Sequence, residues 1–254
     1  MLLALDIGNS LISIGFFNHE CLRVKNLTTH PLKKPEDYTS ILREFLPEIS
    51  VERTALGVII SSVVEGHTAV LAEACKQLMP EDLIILTSEI VTGIVFDIPR
   101  PEELGTDRIA NAVAANELYK GPVAVLDFGT ATTVSVVGKN ANYMGGAIMP
   151  GVGLMNESLA KSTSKLSAVS LNQPGAALGT DTLQCIQSGL FYGAAGAVER
   201  LLSEIEKEIG FELKVVVTGG YGGMVSKFLS RDYILNQHLT LEGLKIIFMR
   251  NKSA

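Results

Sequence analysis

One short pattern occurs twice in this sequence and constrains the fold more than any other feature. An apolar strand runs into Asp-x-Gly and small residues, and a second strand follows, first in "LDIGNSLISI" from Leu5 and again in "LDFGTATTVS" from Leu126. Asp127 follows Asp6 by 121 residues, close to half of the 254-residue chain. A duplicated β-hairpin predicts two similar subdomains, residues 1–119 and residues 120–254. Two unrelated hairpins that both use glycine at the turn are the alternative.

The apolar residues elsewhere switch between a period of 2 and a period of about 3.6, which is typical of an α/β protein. Strands are predicted at residues 2–7, 11–17, 56–63, 83–87, 123–128, 132–137, 143–149 and 214–218. Helices are predicted at residues 107–119 and 181–209.

Composition limits the partners of the chain. A formal charge of -6 and a pI near 5.3 argue against nucleic acid and against an anionic membrane, because binders of phosphate-rich surfaces need a basic face. The three cysteines have no metal-site spacing, and no apolar run approaches the roughly 18 residues of a membrane span. With no leader-like segment at the N-terminus either, we expect a cytoplasmic protein with small polar ligands.

The turn residues of the two hairpins point to phosphate. Glycine at Gly8 and Gly129 permits a positive φ and a close approach of backbone N–H groups to an anion. A carboxylate beside a phosphate is repulsive unless a cation lies between them, so Asp6 and Asp127 are predicted to hold metal near phosphate. Two such hairpins facing each other across a cleft resemble the nucleotide site of the sugar-kinase, heat-shock-70 and actin superfamily.

A second informative stretch is "PEELGTDRIANAVAANELYK", residues 101–120. Thr106 is predicted to cap a helix that starts at Asp107 and Arg108. The partial positive charge of the helix N-terminus keeps the Asp107 carboxylate ionised, and Arg108 can bind a substrate carboxylate through two hydrogen bonds. An aspartate that only stabilises its helix is the alternative.

Together with these motifs, nearly the whole chain resembles the type III pantothenate kinases. The resemblance implies ATP-dependent phosphorylation of pantothenate by a homodimer of duplicated ribonuclease-H-like subdomains, with the active site in the cleft between them. It also implies Mg²⁺ with the nucleotide and a monovalent cation, K⁺ or NH₄⁺. The matching stretches, in order, are "DIGNS" at Asp6, "SSVV" at Ser61, "PEELGTDRIANAVAA" at Pro101, "DFGTATT" at Asp127, "GGAIMPG" at Gly145, "LGTDTLQCIQSGLFYG" at Leu178, "VVTGG" at Val216 and "LTLEGL" at Leu239.

The resemblance also assigns residues to the nucleotide. Asp6 would lie near magnesium, and Asp127 would be the ligand of the monovalent cation. In the second phosphate loop, Gly129 and Thr130 would contact ATP. The first phosphate loop would comprise Asp6, Ile7, Gly8, Asn9, Ser10, Leu11, Ile12 and Ser13.

For pantothenate, the resemblance implies contacts with a Gly-x-Asp-Arg element and with Thr182. Asp107 would be the base. In the family an aromatic residue commonly precedes this element by a fixed interval. Here either Ile98 stands in that register or the aromatic Phe96 takes the role two residues out of register. The element comprises Gly105, Thr106, Asp107 and Arg108.

Two glycine-rich features allow more than one interpretation. "GGYGG" at Gly219 is either a contact for adenine or ribose or a flexible turn, and the glycines at 189, 193 and 196 favour either a dimer contact or packing within the subunit. Two other functions are open alternatives: a non-enzymatic regulatory protein with the same fold, and a kinase of another small alcohol or sugar.

Overall fold

The computed structural model describes residues 1–18, 21–46, 57–78 and 83–252. The strands are β1 (Leu2–Ile7), β2 (Leu11–Asn18), β3 (Cys21–Thr28), β4 (Gly57–Ser62), β5 (Leu83–Ile85), β6 (Val95–Phe96), β7 (Val123–Phe128), β8 (Ala131–Val137), β9 (Asn142–Pro150), β10 (Lys214–Thr218) and β11 (Ile234–Leu235). The helices are α1 (Pro35–Phe45), α2 (His67–Leu78), α3 (Thr106–Tyr119), α4 (Val152–Ser162), α5 (Thr182–Ile209), α6 (Gly222–Val225) and α7 (Leu239–Lys252). None of these helices combines the length and the apolar character needed to cross a bilayer.

The chain forms two compact units. Unit one comprises Met1–Ile94, Pro99–Ala114 and Leu239–Ala254, and unit two comprises Val95–Ile98 and Ala115–His238. Packing therefore groups α7 with the strands at the start of the chain, whereas the duplicated pattern predicts a single boundary after residue 119.

Each unit contains one mixed sheet, and the two sheets have the same strand order around their hairpins. In unit one the order is β3-β2-β1-β4-β5, and in unit two it is β11-β10-β7-β8-β9-β6. In both, three antiparallel strands are followed by a crossover to two strands that run parallel to the first. This repeated topology confirms the α/β duplication that the sequence pattern predicts.

Strand β1 is buried on both faces. Leu3, Leu5 and Ile7 pack into a core cluster with α1 and α2, as expected for alternate residues of a strand. The opposite face is covered by α7, whose Phe248 ring lies where a side chain on Gly57 of β4 would be. Asp6 shares that second face and stands near the carboxyl end of β1.

In unit two, the hairpin β7–β8 packs against the long helix α5. Leu126 and Phe128 of β7 lie in one core cluster with Leu190 and Phe191 of α5. Helix α5 begins after Asp181, whose carboxylate accepts the Gln184 backbone N–H at 2.8 Å, and it ends at Gly210, which adopts φ 76°.

The predicted strands and helices beside the motifs are confirmed, with small changes at their ends. Sequence analysis did not predict β3, β6 or β11. The last two are only two residues long and so give too short a pattern to recognise.

Candidate active site

The Asp6 carboxylate is held by a hydroxyl group from the neighbouring strand. Asp6 pairs with Ser61 in the parallel ladder between β1 and β4, and the Ser61 hydroxyl donates to Asp6 Oδ1 at 2.9 Å. Ser61 is fully buried, so its hydroxyl depends on protein partners. Asp6 is half-buried at the edge where β1 and β4 end.

The same serine connects Asp6 to the start of α3. Ser61 Oγ lies 3.0 Å from Thr106 Oγ1, and the Thr106 oxygen also accepts the Ser62 backbone N–H at 3.0 Å. The Thr106 hydroxyl lies within 3.2 Å of the Ser62 carbonyl oxygen as well. A continuous hydrogen-bonded chain therefore runs from Asp6 through Ser61 to the Gly-Thr-Asp-Arg element.

The predicted capping role of Thr106 is wrong. Helix α3 begins at Thr106, and its first backbone hydrogen bond runs from Ile109 N–H to the carbonyl of Gly105, so Gly105 occupies the N-cap position. The Thr106 hydroxyl is directed to Ser61 and Ser62 instead, which a local pattern could not indicate.

Asp107 lies in the first turn of α3, and its geometry explains the glycine two residues earlier. A Cβ atom on Gly105 would stand 2.5 Å from Asp107 Oδ1, so only glycine leaves room for this carboxylate. Asp107 Oδ1 accepts the Arg108 backbone N–H at 2.8 Å. Burial raises the pKa of Asp107 above the ordinary aspartate value, while the Arg108 N–H and the Arg108 charge oppose the shift.

The first hairpin turn is closed by its own backbone. The Gly8 N–H donates to the Leu11 carbonyl at 3.0 Å, and the tip residues Asn9 and Ser10 are exposed. Gly8 does not have the expected positive φ. A Cβ atom there would meet the Leu11 oxygen at 3.2 Å, so glycine is favoured by crowding and not by backbone conformation.

The second hairpin turn is tighter. The Gly129 N–H donates to the Ala131 carbonyl at 3.1 Å, and the expected positive φ is absent at Gly129 too. A Cβ atom on Gly129 would lie 3.3 Å from Asp127 Oδ1. Thr130 forms the tip, and its carbonyl oxygen accepts the Gly151 N–H at 3.1 Å.

Two further glycines surround this second turn. A side chain on Gly151 would overlap the carbonyl oxygens of Gly129 and Thr130. Gly219, at φ 89°, follows β10 and lies against Asp127: a Cβ atom there would overlap Oδ1 of Asp127 and stand 2.6 Å from Phe128 N. The first glycine of "GGYGG" is therefore a close neighbour of the Asp127 carboxylate.

The other predicted site residues divide between the two units. Unit one holds Asp6, the 8–13 segment and the Gly105–Arg108 element, in which Arg108 is half-buried. Unit two holds Asp127, the 129–130 turn and two residues predicted for pantothenate. Of these two, Ile98 follows β6 and has its Cγ2 atom 4.0 Å from the Cβ position of Gly145, and Thr182 is the exposed first residue of α5.

Sequence reasoning missed the residues that hold these groups. Ser61 was recognised only as part of the "SSVV" motif, and Gly219 was not predicted to lie beside Asp127. The signal available for both is their position at the end of an apolar strand, where parallel strands place functional residues at one edge of a sheet.

Among the described residues, no group of three or more histidine, cysteine, aspartate or glutamate side chains is arranged to hold a metal ion. Cys75 is a buried free thiol and Cys185 an exposed one.

Comparison with known proteins identifies close relatives. The sequence matches the family model described as Type III pantothenate kinase over residues 2–204. A type III pantothenate kinase of Brevibacillus brevis is 36% identical over 255 residues, which cover 100% of both chains. One of Moorella thermoacetica is 36% identical over 253 residues, 99% of this chain and 100% of that protein.

Solved structures with lower identity share the fold. A conserved Baf family protein from Campylobacter jejuni superposes with a TM-score of 0.63 at 20% identity, over 99% of this chain and 100% of that one. An inorganic polyphosphate/ATP-glucomannokinase from Arthrobacter gives a TM-score of 0.51 at 13% identity, over 99% of this chain and 98% of that one. These likenesses confirm the predicted fold of the sugar-kinase, heat-shock-70 and actin superfamily, and at such identities they bear on fold alone.

Proposed function

We propose that this chain, which belongs to the type III pantothenate kinase family, transfers the γ-phosphoryl group of ATP to the hydroxyl group of pantothenate, in the first step of coenzyme A synthesis. The observation that carries the proposal is the hydrogen-bonded chain from Asp6 through Ser61 to Thr106. It connects the carboxylate assigned to the nucleotide with the element assigned to pantothenate.

Asp107 is the proposed base. As the pantothenate hydroxyl attacks the γ-phosphorus in line, its proton passes to the Asp107 carboxylate, while the bond from the γ-phosphorus to the ADP oxygen breaks. Phosphoryl transfer has a loose transition state, so positioning matters more than the strength of the base. A raised pKa nevertheless brings this carboxylate closer to the range in which general bases are effective.

Asp6 is the proposed contact for magnesium with ATP. Mg²⁺ prefers oxygen ligands, keeps several waters and is held in kinases by one or two carboxylates together with substrate phosphates. The half-buried Asp6 carboxylate, oriented by Ser61, fits such a partial ligand set. When bound, the ion would neutralise charge on the phosphate oxygens.

Asp127 is the proposed ligand of a monovalent cation, K⁺ or NH₄⁺. Its carboxylate lies beside the second turn, with Oδ1 3.3 Å from the Cβ position of Gly129, and against Gly219. Oxygen atoms without bulky side chains nearby suit a weakly hydrated cation. Gly129 and Thr130 would also contact ATP, as would Asn9 and Ser10 of the first turn.

The proposed pantothenate contacts are Arg108, which offers a planar cation to the substrate carboxylate, and Thr182, with Ile98 as the apolar surface. The cleft between the two subdomains and the cytoplasmic location stay predictions from the sequence.

A coupled assay of ATP consumption with and without pantothenate tests the proposal directly, and Asp107→Asn tests the role of the base. The change is nearly isosteric, and the amide oxygen can still accept the Arg108 N–H. We expect kcat to fall by about 10²- to 10⁴-fold, the usual contribution of a general base. In the unsubstituted protein, the acid limb of the pH profile should lie above the ordinary aspartate range.

Stability separates this role from simple helix capping. The pKa of Asp107 is higher in the folded protein than in the unfolded chain. Between these two pKa values the folded protein retains a proton that the unfolded chain has released, so the free energy of unfolding falls as the pH rises through this range. Asparagine has no such charge, and the variant should be at least as stable as the parent at neutral pH. A capping aspartate would give the opposite pattern: a loss of about 1 kcal/mol of stability and an almost unchanged rate.

We also propose a homodimer through one face of α5. Gly189, Gly193 and Gly196 lie on that face, and a side chain at any of them would have no neighbour within 4 Å in the described chain. This open space favours a contact between subunits over packing within one, and Leu183 and Tyr192 of the same helix are exposed. Light scattering at micromolar concentration should give twice the monomer mass of 27.2 kDa. Monomer alone would contradict the proposal.

A kinase of another small alcohol or sugar is distinguished by a substrate panel in the same assay. Turnover with pantothenate well above that with sugars supports the proposal, and the reverse order supports the alternative. A protein with intact fold and no turnover on any of them would point to the regulatory function.

A further inference from the structure

Thr29 forms two hydrogen bonds with the backbone of the first hairpin turn. The Thr29 hydroxyl donates to the Gly8 carbonyl at 2.7 Å, and the Thr29 backbone N–H donates to the Ser10 carbonyl at 3.1 Å. Thr29 directly follows β3 and is fully buried, whereas the turn tip is exposed. One buried threonine therefore binds the carbonyls on both sides of Asn9.

The hydrogen bond to the Gly8 carbonyl fixes the direction of an N–H group in the turn. In a planar trans peptide the carbonyl oxygen of one residue and the N–H of the next point in opposite directions. Holding the carbonyl of Gly8 therefore directs the N–H of Asn9, at the exposed tip of the turn, away from Thr29. Outward N–H groups of a turn form a binding surface for an anion.

Thr29 is itself held by His67, the first residue of α2. His67 Nε2 lies 2.8 Å from the Thr29 carbonyl oxygen, which can only accept, so Nε2 carries the hydrogen. The imidazole is buried, and its Nδ1 atom has no hydrogen-bond partner among the described residues. An apolar side chain at this position would fill the core without leaving a polar atom unpaired, so the polar contribution of His67 is its bond to Thr29.

We propose that Thr29 and His67 are positioning residues for the nucleotide: they hold the turn at residues 8–11 in the orientation that receives ATP phosphate. Neither side chain touches the nucleotide in this account. The inference rests on the proposed function, because it takes this turn to be a phosphate loop.

The experiment compares Thr29→Val with Thr29→Ser in the full chain. Valine keeps the shape of threonine and removes the hydroxyl, while serine retains the hydroxyl. For Thr29→Val we expect the KM for ATP and the Kd for Mg²⁺–AMPPNP to rise about 3- to 10-fold, the effect of one lost hydrogen bond. The KM for pantothenate should stay within about twofold, and serine should restore most of the ATP affinity.

Thr39→Val is the matched control for a purely structural effect. Thr39 is also a buried threonine of unit one, and its hydroxyl donates to the Pro35 carbonyl within α1. This variant should lose stability without changing the KM for ATP. If Thr29→Val leaves both nucleotide constants within twofold of the parent, or changes them no more than Thr39→Val does, the inference is wrong.

Two substitutions test His67: one keeps a hydrogen-bond donor at this position and the other removes it. His67→Gln can still donate to the Thr29 carbonyl, and His67→Leu cannot. We expect only His67→Leu to weaken nucleotide binding, and equal binding by both variants would exclude His67 from the positioning role. If His67→Leu does not fold, the Thr29 pair alone decides the proposal.

The Kd for Mg²⁺–AMPPNP distinguishes failure of this inference from failure of the proposed function. An unsubstituted protein that binds Mg²⁺–AMPPNP but does not phosphorylate pantothenate would refute the function, while the Thr29 comparison could still confirm the positioning role. An unsubstituted protein that does not bind the nucleotide would refute both.

Discussion

In the first hairpin, the Asp6 carboxylate accepts a hydrogen bond from Ser61 on the neighbouring strand β4, whereas in the second hairpin the Asp127 carboxylate lies against Gly219, which follows the neighbouring strand β10. The second turn is also one residue shorter, since Ile7 pairs with Ile12 and Phe128 with Thr132. The same backbone motif therefore has different neighbouring residues at its aspartate in the two units.

These two surroundings fit the two roles proposed for the hairpins. A hydroxyl that donates to a carboxylate orients it and leaves its charge in place, which suits a contact with a hydrated magnesium ion. Glycine beside a carboxylate leaves space at the carboxylate oxygens, which suits a larger cation. The strand order around the hairpins, which is the same in both units, would not reveal this difference.

The strongest test of the comparison is Gly219→Ala. The new Cβ atom would overlap the Asp127 carboxylate, and alanine would be strained at φ 89°, so we expect a loss of about 2–5 kcal/mol of stability. Gly220→Ala is the matched control, because nothing lies within 4 Å of its Cβ position. Urea denaturation of both variants measures the difference. Equal stability would show that the space beside Asp127 is not structurally required.

The second test removes the carboxylate of each hairpin in turn and measures how the rate depends on each ion. Asp127→Asn should abolish the preference for K⁺ or NH₄⁺ over Na⁺, and Asp6→Asn should raise the Mg²⁺ concentration needed for half-maximal rate. We expect changes of about tenfold or more, equivalent to about 1.4 kcal/mol. Steady-state rates at matched ionic strength decide the matter. If both substitutions alter the same ion dependence, the proposed division between the hairpins is wrong.

The smallest expected effect is that of Ser61→Ala. Removing the hydroxyl leaves Asp6 in place but deletes the hydrogen bond from Ser61, which should cost about 1 kcal/mol and shift the Mg²⁺ dependence by about fivefold. Ser40→Ala is the control, since the Ser40 hydroxyl donates to the Glu36 carbonyl on the exposed side of α1. A shift of the same size in both variants would remove Ser61 from the site.

The sequence predicted the hairpins well because their signal is local. Alternating apolar residues and Asp-x-Gly lie within about ten positions, and such short-range patterns determine strand and turn. The start of α3 was predicted to within one residue for the same reason.

The predictions that failed concern what a side chain or a missing side chain contacts. Glycine at Gly8 and Gly129 was expected to permit a positive φ, yet neither residue adopts one, and a Cβ atom would instead stand 3.2 Å from the Leu11 oxygen at Gly8 and 3.3 Å from Asp127 Oδ1 at Gly129. Either requirement selects the same residue, so sequence alone cannot distinguish them. The Thr106 hydroxyl was assigned to its own helix, whereas its partner Ser62 lies 44 residues earlier in the chain and meets it only after folding.

The position of helix α7 in the sequence affects how this protein folds during its synthesis on the ribosome. Residues 239–252 complete unit one, where Phe248 covers Gly57 and Leu244 and Ile247 are buried, but they are translated after the whole of unit two. Domains generally fold as units during synthesis. One face of the N-terminal sheet therefore has no cover until α7 has been translated, and unit one can complete its fold only after unit two has emerged.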